Sequence, residues 1–297
     1  MMLPRRRSKA GRAGGRADGR RADRGNAETP PSDRSYNIGV FRAWLALAVL
    51  FAGIARGQAP SYSPAGVVST ASYTNGPFAP NSMVTIFGSN LARSAQGITQ
   101  ADIQNNMLPT NLDVTQVMVD NVPAPLFYVS PGQINFVLPG TVGPASPVLR
   151  VVREGLVGPA ITLPLVPAAP ALFLLPAAPA YIIATRADYS AITPDAPAHA
   201  GDIVVIWATG LGKTQRNPAP GELPNYTSPL ADMTALQVTI GGAPLDPARI
   251  LYAGLTPLSA ALYQINLILP ATLPGDPEIR VFVGGQGSLA GLKLAVR

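Results

Sequence analysis

His199 is the one histidine of the chain and the side chain best suited to move a proton near neutral pH. Serine-type hydrolysis would have to use it as the general base. It lies in Pro197-Ala198-His199-Ala200-Gly201-Asp202, which reads as a turn with Asp202 placed to cap it through its carboxylate. No Gly-x-Ser-x-Gly elbow accompanies it. His199 therefore reads as an exposed loop residue, with a hydrolase as the sharper alternative. The chain has no cysteine, which excludes disulfides, thiolate nucleophiles and cysteine-ligated zinc. A single histidine excludes a multi-histidine metal centre, and no Asp-rich loop suggests calcium. No glycine-rich phosphate loop is visible either. The expectation is no catalytic residue, no metal and no cofactor.

The polar side chains that recur are amides. Gln133-Ile134-Asn135-Phe136-Val137-Leu138-Pro139 returns as Gln264-Ile265-Asn266-Leu267-Ile268-Leu269-Pro270. On a strand, alternation sends Ile134, Phe136 and Leu138 to a core face and Gln133, Asn135 and Val137 to the other. An amide buried without a partner costs about 1–3 kcal/mol. Gln133, Asn135, Gln264 and Asn266 are thus expected to bond a nearby loop or backbone and to serve the repeated fold. A ligand site is the alternative.

Stepping outward from these amides, matched phrases surround them. Val84-Thr85-Ile86-Phe87 pairs with Val204-Val205-Ile206-Trp207, and Val117-Met118-Val119-Asp120-Asn121 with Val238-Thr239-Ile240-Gly241-Gly242. Short runs of Val, Ile, Leu, Thr and aromatics, punctuated by Gly, Pro and Asn, read as strands. Asp120-Asn121 and Gly241-Gly242 tolerate positive φ and predict two-residue hairpin turns. Trp207 and Phe87 hold equivalent positions, which predicts a core role for Trp207 rather than a sugar platform. The second copy carries seven extra residues between Tyr252 and Gln264, expected to form a loop around Gly254-Leu255-Thr256-Pro257. Residues 93–109, 213–229 and 254–260 read as long loops peculiar to one copy and hence as candidates for recognition. The middle loop holds Lys213, Arg216, Asn225 and Tyr226, a polar-aromatic mix suited to partner contacts. Asn225-Tyr226-Thr227 also matches a glycosylation sequon, a weak signal.

Charge is segregated. Residues 1–59 carry 12 Lys/Arg and 4 Asp/Glu, leaving 10 basic and 12 acidic of the chain's 22 and 16. The part that folds is near neutral, so no nucleic-acid partner is expected. Residues 44–55 read WLALAVLFAGIA. That run is too short to span a bilayer, which takes about 20 apolar residues. The preceding Arg42 and the small residues that follow fit a secretory signal peptide. Residues 1–43 read as a disordered basic extension, or as the product of a start assigned too far upstream. No transmembrane segment is expected after signal cleavage.

Longer phrases carry a resemblance. Ala79-Pro80-Asn81-Ser82-Met83-Val84-Thr85-Ile86-Phe87-Gly88-Ser89-Asn90-Leu91, Pro123-Ala124-Pro125-Leu126-Phe127-Tyr128-Val129-Ser130-Pro131-Gly132-Gln133-Ile134-Asn135 and Ala208-Thr209-Gly210-Leu211-Gly212 occur in order, followed by Tyr252-Ala253-Gly254-Leu255 and Leu262-Tyr263-Gln264-Ile265-Asn266. In these the chain resembles an uncharacterised C-terminal domain family of secreted proteins from Solibacter and related acidobacteria. The first half also resembles the IPT/TIG type of immunoglobulin-like domain. The resemblance implies an extracellular setting and supplies no catalytic residues.

The expected fold is all-β, with two tandem immunoglobulin-like β-sandwich modules at residues 60–168 and 169–297. Ahead of them stand the basic extension at 1–43 and the export segment at 44–59. The expected role is a non-catalytic exported protein for adhesion or protein interaction outside the cytoplasm, in the periplasm, at the surface or released. The alternative is a carbohydrate-binding accessory module, which would need exposed aromatics such as Tyr226 or Tyr73.

Overall fold

The computed structural model describes residues 57–142 and 146–297. The basic extension, and the export segment up to residue 56, lie outside the described residues.

The regular secondary structure of the described residues is almost all strand, arranged as two sandwiches with the same wiring. In the first, Ser61–Ser69, Met83–Ser89, Gln133–Val137, Leu126–Val129 and Gln96–Gly97 lie side by side in that order. The facing sheet runs Ile161–Thr162, Val148–Arg153, Thr115–Val119, Val122–Pro123, with Leu156–Val157 also on Val148–Arg153. In the second, Ala191–Ile192, Ala184–Arg186, Ile203–Thr209, Tyr263–Ile268, Ile250–Leu255 and Ser228–Pro229 make one sheet, and Ala171–Leu172 joins Ile203–Thr209. The other is Ala243–Pro244, Leu236–Ile240, Ile279–Val283 and Gln286–Gly287.

The repeat extends to the register. Asn135 lies opposite Thr85 on one side and Tyr128 on the other, while Asn266 lies opposite Val205 and Tyr252. Both tyrosine strands shift register one residue before the tyrosine, at Phe127 and Leu251, a shared β-bulge. The hairpin residues Asp120 and Asn121 have φ of 47° and 64°, and Gly241 and Gly242 have 60° and 82°, as two-residue hairpins require.

Each sandwich has its own core, one drawn from Tyr62 through Leu163 and one from Ala168 through Val296. Ile134, Phe136 and Leu138 are fully buried, as are Ile265, Leu267 and Leu269. Each such side chain contributes about 1.5–3 kcal/mol on leaving water. Tyr62 ties the two sheets of the first sandwich together. Its hydroxyl donates to the Pro159 carbonyl at 2.6 Å and accepts from the Val151 N–H at 2.8 Å. Burial pushes its phenol ionisation up, with the Val151 hydrogen bond opposing.

Two expectations fail. Trp207 is not in the core: Val204, Ile206 and Ala208 point inward, so alternation leaves Trp207 half-buried on the outer face, and Phe87 is 39% exposed. The extra residues of the second copy are not all loop. Gly254 and Leu255 are buried and continue the strand Ile250–Leu255, so the insertion first lengthens the hairpin and only then turns.

Candidate functional site

The three loops singled out from sequence meet one another. Leu108 N–H donates to the Gly221 carbonyl at 2.9 Å, Leu223 N–H to Asn106 at 2.7 Å and Leu258 N–H to Pro224 at 2.7 Å. Leu108, Val137, Ala260 and Ala261 form a third buried cluster, with Met83, Phe127 and Leu223 packed against it. This explains why Val137 is buried although it points away from the first core. Two of the loops are not peculiar to one copy either. Gln96–Gly97 and Ser228–Pro229 pair with equivalent tyrosine strands as edge strands.

The strand ends seal the same junction. Met83 N–H donates to Thr209 Oγ1 at 3.0 Å, and the Thr209 hydroxyl donates to the Ala261 carbonyl at 2.8 Å. The connector is pinned on both sides, Val166 N–H to the Phe78 carbonyl and Ala169 N–H to the Gly210 carbonyl. Gly210 has φ of 74°, and a Cβ there would lie 2.3 Å from the Ala169 carbonyl oxygen. Only glycine fits.

Beside this junction both sandwiches line a cleft of about 1240 Å³. Its walls come from Pro80 and Val142 of the first sandwich, Val166 of the connector, and Leu211, Pro218 and Leu230 of the second. Lys213, Asn217 and Asp232 bring polar groups to it. Asp232 is committed elsewhere: its carboxylate caps the short helix Met233–Ala235 and accepts from both Thr234 N–H and Thr234 Oγ1. Those bonds hold its ionisation below the usual carboxylate range.

The four nominated loop residues therefore part company. Lys213 sits at the cleft. Arg216 lies over the Tyr226 ring, 3.7 Å from its centroid, and the Tyr226 hydroxyl donates to Glu222 Oε1 at 3.2 Å. That stack brings Arg216 and Tyr226 together and leaves Tyr226 half-buried, while Asn225 is exposed beside it. Partial burial first, then the Glu222 charge, raises the Tyr226 phenol's ionisation.

The repeated amides bond each other rather than a loop or backbone. Gln133 Nε2 donates to Asn135 Oδ1 at 2.8 Å, and Gln264 Nε2 to Asn266 Oδ1 at 3.3 Å. Residues two apart on a strand share a face, so the pairing is local. In the first copy Thr85 Oγ1 also donates to Asn135 Oδ1 at 3.0 Å; Val205 in the second copy offers no such donor.

His199 is exposed. Asp202 Oδ2 accepts from the His199 N–H at 2.8 Å, the capping bond expected, and lies 3.7 Å from its Nδ1. No cluster of three metal-ligating side chains occurs among the described residues. No helix there is long and apolar enough to cross a membrane.

Tyr73, named from sequence as a candidate exposed aromatic, has a partner the sequence did not show. Tyr73 is 58% exposed with φ of 56°, and its ring stacks on Phe87 with centroids 6.4 Å apart and planes 24° from parallel. The corresponding turn of the second sandwich carries Tyr189, 73% exposed with φ of 66°. A bulky residue at positive φ is uncommon. The signal available in sequence was the Tyr-Thr and Tyr-Ser pairs at 73–74 and 189–190.

The IPT/TIG domain family model matches residues 67–162. The match supports an IPT/TIG-like domain in the first sandwich. No curated protein matches the chain. Among solved structures, a surface glycan-binding protein from Prevotella bryantii is 13% identical, with TM-score 0.24, over 78% of this chain and 41% of that one. A Bacteroides ovatus SGBP-B in complex with a mixed-linkage heptasaccharide is 14% identical, with TM-score 0.29, over 73% and 42%. The extracellular region of plexin A4 is 14% identical, with TM-score 0.26, over 83% and 19%. The chain thus spans less than half the length of each, and likenesses this slight carry nothing about function.

Proposed function

We propose that the protein is an exported, non-catalytic tandem binding protein that holds a protein partner outside the cytoplasmic membrane, in adhesion or assembly. The observation behind this is the cleft walled by both sandwiches beside a junction fixed by Thr209 and interlocked loops. A preformed apolar recess with few polar groups costs little ordering entropy on binding. Lys213 supplies a charge at it, and the loop tip at Asn225 offers a second contact. Arg216 and Tyr226 support that loop from behind. The export segment at 44–59, the module division between residues 168 and 169, and kinship with the secreted acidobacterial family belong to the same proposal. Gln133, Asn135, Gln264 and Asn266 are assigned a structural part in it.

The test is capture of envelope or secreted partners by the full chain and by Ala231→Trp, which fills the cleft from an exposed position. A partner held by the wild type and lost by Ala231→Trp supports the reading. A partner held equally by both moves the site elsewhere. Mass spectrometry of the exported protein should place its first residue near 58. A second reading, glycan binding, is favoured by the stacked Tyr73 and Phe87.

A further inference from the structure

We propose that the outer face of the first sandwich binds a neutral polysaccharide, with a sugar ring on the Tyr73–Phe87 step and its hydroxyls on the Gln133–Asn135 amide pair. The proposal deepens the glycan reading and is independent of the cleft.

The geometry comes from the register. Phe87 lies directly opposite Gln133, and Thr85 opposite Asn135. Side chains so placed on one face are close neighbours, with Cβ atoms about 4.5–5.5 Å apart. The same sheet face is covered at its other end, where Met83, Phe127 and Val137 meet the second sandwich. It is left open at Phe87.

Ring centroids 6.4 Å apart with nearly parallel planes describe an offset stack. Each ring keeps part of one face bare, consistent with exposures of 58% and 39%. Such a surface suits the C–H face of a pyranose, which is apolar and flat, and its edge is ringed by hydroxyls. The Tyr73 backbone fixes where the ring lies. It is held at φ of 56° by hydrogen bonds from its own N–H to the Ser69 carbonyl and from Ser69 N–H to the Thr74 carbonyl.

The amides complete the surface. Asn135 Oδ1 accepts from both Gln133 and Thr85, which fixes the amide orientation. That leaves Gln133 Oε1 as an acceptor and Asn135 Nδ2 as a donor without partners among the described residues, and neither atom is sealed from solvent. A vicinal diol presents one donor and one acceptor and matches them. Tyr73, Thr85, Phe87, Gln133 and Asn135 are all uncharged, which selects a neutral chain over an acidic one. In the second sandwich Trp207 faces Gln264 in the same way, but Val205 replaces Thr85, so its amide pair lacks that anchor.

The test is affinity electrophoresis of the full chain through gels containing a neutral β-glucan, a neutral mannan or acidic alginate. The expected result is retardation by a neutral polysaccharide, at least tenfold weaker in Tyr73→Ala and in Phe87→Ala, unchanged in Tyr189→Ala, and kept by Tyr73→Phe. Thermal melting of each variant shows whether it is folded. Absence of retardation by both neutral polymers overturns the proposal, as does retardation indifferent to Tyr73→Ala in a folded variant. Loss of a captured protein partner in Tyr73→Ala would assign the surface to protein instead. Failure of the polysaccharide arm leaves the cleft test of Ala231→Trp standing, so the two readings fail separately.

Discussion

The Met83 N–H of the first sandwich donates to Thr209 Oγ1 of the second at 3.0 Å. Thr209 then donates to the Ala261 carbonyl at 2.8 Å, so one hydroxyl satisfies two backbone groups from opposite sides of the junction. Ser89, the equivalent residue in the first sandwich, is exposed. The repeat has put one strand position to two uses. Thr209→Val keeps the shape and removes both bonds. Each backbone group left unpaired in a dry contact costs about 1–3 kcal/mol. The expected outcome is a lower denaturation midpoint and loss of coincidence between fluorescence probes in the two sandwiches. Thr209→Ser should behave nearly as wild type.

Asn135 and Asn266 are equivalent in sequence and unequal in bonding. Asn135 accepts two hydrogen bonds, from Gln133 and Thr85, whereas Asn266 accepts one, at the longer distance of 3.3 Å. Asn135→Ala should therefore destabilise more than Asn266→Ala, by about one net hydrogen bond, 0.5–1.5 kcal/mol. Urea denaturation of the two variants measures the difference. Equal losses would show that Thr85 contributes nothing.

Gly210→Ala and Gly242→Ala both place a Cβ at positive φ, 74° and 82°. That conformation costs an L-residue about 1–2 kcal/mol. At Gly242 nothing lies within 4 Å of the new atom, but at Gly210 the Ala169 carbonyl is 2.3 Å away. The Gly210 variant should lose markedly more stability, because the connector must move.

Alkaline pH should loosen the second sandwich. The Tyr263 hydroxyl donates to the Gly212 carbonyl at 2.6 Å, and complete burial drives its ionisation far above the ordinary value. The unfolded chain releases this proton above about pH 10, while the folded chain keeps it. Its contribution to stability is thus intact below that pH and falls as pH rises beyond it, by up to about 1.4 kcal/mol per pH unit. Denaturation midpoints at pH 8 and 11 should show the decline, and Tyr263→Phe should flatten it. At pH 8 that variant should already be weaker, for want of the bond to Gly212.

The sequence by itself determined everything written in short-range code. Period-two alternation in Gln-Ile-Asn-x-x-Leu-Pro fixed which residues face each core. Asp120-Asn121 and Gly241-Gly242 fixed the turns, because those residue types reach positive φ at little cost. Repetition of the phrases fixed the duplication. What the tertiary structure decided are relations that no local pattern carries. Residues 93–109 and 213–229 looked free because they were long and polar, yet Leu108 and Leu223 bind them to each other. Trp207 is the exception, a local signal: alternation with Val204, Ile206 and Ala208 places it on the outer face, like its equivalent Phe87. Tyr73 finds Phe87 across 14 positions of sequence only because a turn at positive φ folds back over the sheet. Side-chain periodicity reports a face, whereas the neighbour of that face depends on how separate sheets dock, and docking is set by shape over the whole surface.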